Sequence, residues 1–233
     1  VVPHHVADLA ARLITAWDGG EPVDPSHAGW ASLDHDSALA LGRHVLERLG
    51  AGSDAETWKL GATDAATQDR LSVPGPICAP VVPSRVETAA ESATVELGRF
   101  RHPRLEPEIG LVATAHGWAA VPAVEVADCR VAGWQLPPGA VLADGCLQGA
   151  MIFGAEGHQG DEVAVFVRCD GVEVARGAGR ISEARERLAV LPAEAAPLRV
   201  ATGALTPLLD CRPGRWDFDF GGLGRLVIDV VER

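Results

Sequence analysis

Beyond Thr57 the chain breaks into short apolar runs separated by glycine and proline, which supply 26 and 16 of its 233 residues. Runs of that length suit strands better than helices, because a helix needs ten or more residues to bury one face. Ten segments read as strands: Trp58–Gly61, Val95–Leu97, Glu108–Ala113, Ala120–Val126, Met151–Phe153, Glu162–Arg168, Val172–Ala178, Leu198–Ala201, Trp216–Phe220 and Leu226–Val231. Cys169-Asp170-Gly171 between two alternating runs is a hairpin signal. The first fifty residues differ. Val6 to Ala16 and Asp34 to Leu49 carry apolar residues at helical spacing, Gly19 to Gly29 reads as a loop, and Gly50 is a natural helix stop. Ser182 to Val190 suits one short helix. The pattern predicts an α+β fold, with a helical N-terminal lead over 1–56 and a strand-rich part over 57–233. With no internal repeat or linker, residues 1–233 are expected to form a single domain.

The formal charge of −12 argues against non-specific nucleic-acid binding, and no stretch is long and apolar enough for a membrane span. Val1 to Ala10 lacks an export pattern, so a soluble, cytoplasmic protein is expected. Cys78, Cys129, Cys146, Cys169 and Cys211 are odd in number, widely spaced and without a CxxC, which suits reduced thiols rather than a disulfide frame or zinc site. Among the 20 basic residues, Lys59 is the only lysine. A lysine can change its pKa on burial, whereas arginine stays charged.

Glu106 and Glu108 stand two apart, so in extended chain they share one face. Two carboxylates on one face repel unless solvent or a cation intervenes. Pro107 between them fits only where its missing N–H is not needed, as at a sheet edge or strand start. Glu125 lies in an apolar run, where an uncompensated charge is costly. Spacing alone leaves two readings open: a shell for a hard cation such as Mg²⁺ or Mn²⁺, or a solvated edge strand with an independently paired Glu125.

Longer motifs narrow the choice. Thr57-Trp-Lys59-Leu-Gly61-Ala-Thr63, Glu106-Pro-Glu108, Val121-Pro-Ala-Val-Glu125-Val-Ala-Asp128-Cys-Arg130, Val174-Ala-Arg-Gly177-Ala-Gly179, Ala201-Thr-Gly203-Ala-Leu-Thr206-Pro207 and Phe220-Gly-Gly-Leu-Gly224 occur in that order. The set resembles the 2-hydroxypenta-2,4-dienoate hydratase (2-keto-4-pentenoate hydratase) and 4-oxalocrotonate decarboxylase branch of the fumarylacetoacetate hydrolase superfamily. That resemblance implies a mixed β-sheet roll, often oligomeric, so a homo-oligomer is expected. It implies Glu106, Glu108 and Glu125 as metal ligands for Mg²⁺ or Mn²⁺, and Lys59 as the catalytic lysine. Leu60 and Thr206 would line the substrate site. The implied activity is a lyase reaction on a small 2-oxo or 2-hydroxydienoic acid from aromatic-ring degradation, through a metal-stabilised enolate. Lys59 would move a proton or supply charge, the former if burial lowers its pKa. Hydration and decarboxylation share that enolate; tautomerisation, carbon–carbon hydrolysis and a non-catalytic binding role are the alternatives.

The chain also departs from the family pattern. Where the family has Pro-Asp-aromatic-Gly, this sequence reads Pro76-Ile77-Cys78-Ala79, with Ile77 in place of the acid. Its Ala-Asp-Asn-Ala-Ser-Ser run reads Ala143-Asp144-Gly145-Cys146-Leu147-Gln148. A more apolar pocket and substrate are expected. Gly221 to Gly224 precedes a strand and so reads as a turn, not a phosphate loop. His4 and His5 read as a frayed terminus, and His102, His116 and His158 as surface residues, with His116 the one between ligand segments. Trp134 is a candidate pocket wall, Arg130 with Asp128 a structural ion pair, and Asp144 either a pocket-orienting group or a turn cap.

Overall fold

In the computed structural model, described for residues 4–90, 92–157 and 160–232, thirteen strands fall into two sheets. The larger runs β2 (Ile77–Pro80), β1 (Thr57–Gly61), β10 (Arg199–Ala204), β5 (Arg104–Thr114), β6 (Gly117–Ala127), β7 (Gln148–Phe153), β3 (Val86–Thr88). A two-residue strand, β11 (Leu209–Asp210), pairs with β5 beyond the end of β10. The smaller sheet runs β4 (Ser92–Glu96), β13 (Arg225–Val231), β12 (Gly214–Asp219), β8 (Glu162–Cys169), β9 (Val172–Arg180). Helices are α1 (His4–Trp17), α2 (His35–Arg48), α3 (Ala65–Leu71), α4 (Ala140–Ala143) and α5 (Ile181–Glu186). The α+β expectation is borne out. None of these helices is long and apolar enough to cross a membrane.

Alternation along β5 separates two environments. Leu105, Ile109 and Leu111 face the smaller sheet and share a core with Val165, Phe218 and Ile228. Their neighbours Glu106, Glu108 and Gly110 face the other way. On that second face the register sets Lys59 beside Ala201, and Ala201 beside Gly110. Small residues there leave room for the long side chains beside them. The helical lead closes one flank of this face. Leu9, Leu13 and Trp17 of α1 and Val45 and Leu46 of α2 pack with Ile77, Val131, Val141 and Leu147. Asp34 caps α2 by accepting from Ser37 N at 2.8 Å.

Several boundaries differ from the sequence reading. β2, β3 and β11 are too short to show alternation, and α3 and α4 too short to show a helical stripe. Residues 182–190 form two pieces, α5 and a 3₁₀ turn over Arg187–Val190, rather than one helix. Leu97 opens a 3₁₀ turn instead of ending a strand. The Asp170-Gly171 hairpin has both residues at positive φ, as a tight two-residue turn requires. Gly221–Leu223 is a 3₁₀ turn between β12 and β13.

Pro107 corrects one expectation, because β5 is an inner strand and not a sheet edge. Pro107 O accepts from Leu205 N at 2.8 Å, which directs this residue's backbone polar groups toward the side where β10 ends and β11 begins. The missing N–H falls in that gap, so no ladder bond is lost.

Arg130 ties the lead to the sheet. Its guanidinium lies 4.0 Å from the Trp17 ring centroid. Its Nε donates to Asp144 Oδ1 at 2.7 Å, Nη1 to Gln148 O at 2.6 Å and Nη2 to Asp144 O at 3.0 Å. Asp128 contributes a longer contact at 3.4 Å and spends its oxygens on the backbone N–H groups of Arg101 and His102. The expected ion pair is thus present, but Asp144 is its main partner. Arg130 and Asp144 are both essentially inaccessible, at 1% and 0% exposure. Arg130→Met would leave Asp144 buried without its cation, and is expected to cost about 3–5 kcal/mol. The midpoint of urea unfolding checks this; a loss within experimental error would mean that the network carries no stability.

Candidate metal centre

Glu106 lies opposite Glu125 in the β5–β6 ladder, and Glu108 follows two residues on. Cross-strand neighbours on one face approach closely, and the same-face spacing brings Glu108 in from the side. Each of the three glutamates offers a carboxylate oxygen within 4.8 Å of the others. β1 brings Lys59 across Ala201, so that Nζ donates to Glu125 Oε1 at 2.5 Å and to Cys146 O at 3.0 Å. Gly203 N donates to Glu108 Oε2 at 2.8 Å. That bond depends on an irregularity in β10, whose pairing with β5 shifts between Ala201 and Ala204. Gly203 sits there at φ +104°, and a Cβ would come within 2.7 Å of Thr63 Oγ1. The segment after it lies against β9, where a Cβ on Gly177 would collide with Leu205 O. The glycines of two separate sequence motifs therefore shape the wall around Glu108.

Three carboxylates face one ammonium, and the balance is negative. Glu125 Oε2 is buried and finds no hydrogen-bond partner among the described residues. Burial, then the charge of Glu125, pushes the Glu106 carboxyl up to about 7. Burial and the Glu125 and Glu106 charges raise Glu108 well above the usual carboxylate range. Burial also raises Glu125, against the opposing pull of Lys59. These are oxygens in want of a cation. A hard divalent ion fits them, since it favours carboxylate oxygens and would take up the orphaned Oε2.

Lys59 behaves otherwise than the sequence suggested. Burial favours the neutral amine, but the Glu125, Glu106 and Glu108 carboxylates outweigh it and hold the pKa above its ordinary value. It is a fixed ammonium facing the carboxylates rather than a lysine tuned downward. The Cys146 carbonyl that shares it comes from an unusual loop: Gly145, Cys146 and Leu147 all have φ near +60°. Arg130 holds that loop through Asp144 and Gln148. Asp144 is accordingly an orienting group at the edge of the site, its carboxyl raised to about 6 by burial against the pull of Arg130. Of the two roles open to Asp144 in the sequence, its buried bonds to Arg130 favour the orienting one over a turn cap.

A cavity of about 910 Å³ opens beside the carboxylates and is lined in part by Lys59, Glu106, Glu108, Leu60 and Thr206. The Leu60 side chain packs with Trp58 and Val200, so this residue meets the cavity as part of its floor. Thr206 Oγ1 donates to Pro207 O at 3.0 Å. Ile77 and Leu147 both line the cavity, as does Trp134, so the expected apolar wall is present. His116 is exposed in the β5–β6 turn, well away from the carboxylates. His102 is partly buried, with Nδ1 3.2 Å from Cys129 O. His158 and the side chains of His4 and His5 lie outside the described residues. All five cysteines are free; Cys146, nearest the site, has its thiol raised to about 12 by burial.

No family model matches the chain. Among curated proteins, 2-keto-4-pentenoate hydratase 2 of Dechloromonas aromatica (strain RCB) is 26% identical, over 93% of this chain and 94% of its own. The 2-keto-4-pentenoate hydratase of Paraburkholderia xenovorans (strain LB400) is 23% identical over 92% and 90%. Among solved structures, 4-oxalocrotonate decarboxylase from Pseudomonas putida G7, complexed with magnesium and adipate, matches with a TM-score of 0.83 at 21% identity, over 99% of both chains. A fumarylpyruvate hydrolase from Pseudomonas aeruginosa, in complex with Mn²⁺ and pyruvate, matches with 0.56 at 16% identity, over 77% of this chain and 91% of its own. The resemblance read from the motifs is borne out along nearly the whole chain.

The raised carboxyl pKa values have a consequence for stability. A carboxyl that binds its proton more tightly in the folded state stabilises that state fully below the unfolded pKa and loses that contribution as pH rises through the folded one. The metal-free chain is therefore expected to lose thermal stability between the ordinary carboxylate range and about pH 7. Millimolar Mg²⁺ or Mn²⁺ should restore it, and Glu108→Ala should abolish the restoration. Thermal denaturation across pH, with and without metal, reads both effects; a flat pH profile with no metal shift would contradict the site.

Proposed function

We propose that this chain is a metal-dependent lyase acting on a 2-oxo or 2-hydroxydienoic acid, in the manner of the hydratases and decarboxylase it resembles. The observation that carries this is the convergence of half-buried Glu106 with buried Glu108 and Glu125 beside the Lys59 ammonium, with Glu125 Oε2 unpartnered among the described residues. In this reading Glu106, Glu108 and Glu125 would hold Mg²⁺, or Mn²⁺ in its place, and the cation would supply positive charge that stabilises negative charge on the substrate. Lys59 is the catalytic residue. Its ammonium, fixed by Glu125 and the Cys146 carbonyl, points its charge at the same corner and stabilises negative charge that develops on the substrate. The Gly203 N–H holds Glu108 in its ligating orientation. Leu60 and Thr206 bound the end of the cavity where the substrate's carboxylate lies, and Ile77, Leu147 and Trp134 exclude water from the remainder. Assembly as a homo-oligomer is part of the proposal: β9 is an edge strand that exposes Val172 and Val174, surface suited to a subunit contact.

One observation favours decarboxylation, or another enolate reaction without water addition, as the second reading. Adding water calls for a group to deliver it, and the position where relatives of this type carry an acid is Ile77. Losing CO₂ moves the electron pair of the broken bond into the enolate, and the proton that then returns to carbon can come from solvent.

The test is a Mg²⁺-supplemented screen of 2-oxo and 2-hydroxydienoic acids that follows both water addition and CO₂ release. Turnover of at least one such acid is expected, falling roughly 10²–10⁴-fold in Lys59→Ala while the fold is retained. No turnover of any member, with metal bound, would favour a non-catalytic binding protein.

A further inference from the structure

Where the helical lead meets the larger sheet lies a second cavity, of about 390 Å³, which shares no lining residue with the first. That volume is within the range of small-molecule sites. Trp17, at the end of α1, and Arg85, in the 3₁₀ turn that leads into β3, both line it. Trp17 is 5% exposed, and its indole Nε1 finds no acceptor among the described residues. A buried N–H without an acceptor is costly, and an acceptor entering the cavity would remove that cost. Arg85 is undersupplied in the same way. Its Nη1 donates to Arg99 O at 3.2 Å and its Nη2 reaches Trp17 O at 3.5 Å, and among the described residues no carboxylate lies within ion-pair distance. Burial, then the charge of Arg99, pulls its pKa below the ordinary arginine value. The carboxylates that act on it from further off are Asp128, whose oxygens are spent on Arg101, His102 and Arg130, and the exposed Asp18. A second guanidinium, the exposed Arg48, lines the same cavity, and Ile14, Leu49 and Val82 give it an apolar side.

We propose that this cavity binds a small organic acid, its oxyanion on Arg85 and the Trp17 N–H and its apolar body against Ile14, Leu49 and Val82. A guanidinium fork matches the oxygens of a carboxylate or a phosphate ester, and either head group satisfies both donors. Asp18 opposes the acid, but two arginines against one carboxylate leave the lining positive on balance. Such a place stands out on a chain whose formal charge is −12. Trp17 also carries the Arg130 guanidinium 4.0 Å from its ring centroid, so a bound acid touches the residue that ties the lead to the sheet. The proposal does not depend on the metal-dependent reading above.

Isothermal titration of the full chain in EDTA, so that no metal competes for the acid, tests this with benzoate, phenyl phosphate and benzamide. At least one of the two acids is expected to bind about tenfold tighter than benzamide, which keeps the ring and lacks the charge. The better acid of the two identifies the head group. Arg85→Gln should close the gap to benzamide. Trp17→Phe, which keeps a ring beside Arg130 and removes the N–H, should narrow it and serves in its place if Arg85→Gln does not fold. Arg104→Gln, which alters only the first cavity, should leave the gap unchanged. A cooperative thermal transition in each variant reports an intact fold. No binding of either acid, equal binding of benzamide, or a gap that survives Arg85→Gln and Trp17→Phe would overturn the inference. So would a gap that disappears in Arg104→Gln, which would place the acid in the first cavity.

Discussion

Two buried carboxylates and a half-buried third, gathered around one ammonium, set the terms for the rest of this structure. Charges removed from water must be paired, neutralised by protons or bridged by a cation. Lys59 satisfies one oxygen of Glu125 and the Gly203 N–H satisfies one of Glu108, yet Glu125 Oε2 has no hydrogen-bond partner among the described residues. Such an arrangement is poor as a structural core and well suited to binding a divalent ion. It is built on adjacent inner strands, where register fixes the oxygens more firmly than a loop could.

The remainder of the fold supports that corner from behind. The opposite face of β5 is anchored in the apolar core shared by the two sheets, so the site face cannot slide by one residue without exposing Leu105, Ile109 and Leu111. The helical lead reaches the site indirectly: Trp17 stacks on Arg130, Arg130 grips Asp144 and Gln148, and the loop between them presents the Cys146 carbonyl to Lys59. The lead is thus part of the scaffold of the site although none of its described residues lines the cavity.

Much of this was legible in the sequence, and unevenly so. The two long helices and the longer strands announced themselves by period, and the three converging carboxylates by the Glu-x-Glu spacing and the motifs around them. β2, β3 and β11 lacked enough residues to show a period, and pairing with neighbours already in place decides them. Ile77 was recognisable as a missing acid, but its place on the strand beside Lys59 came only from the β1–β2 register. The rise in the Lys59 pKa was invisible for a related reason: burial alone predicts a fall, and the sign is set by how many carboxylates converge in space.

The most direct measurement is a crystal structure of the protein soaked in Mn²⁺, with anomalous scattering used to locate the ion. The account predicts one strong peak within bonding distance of oxygens from Glu106, Glu108 and Glu125, with Lys59 beside it and outside the coordination shell. Anomalous density elsewhere, or those three side chains turned apart with no ion between them, would contradict it.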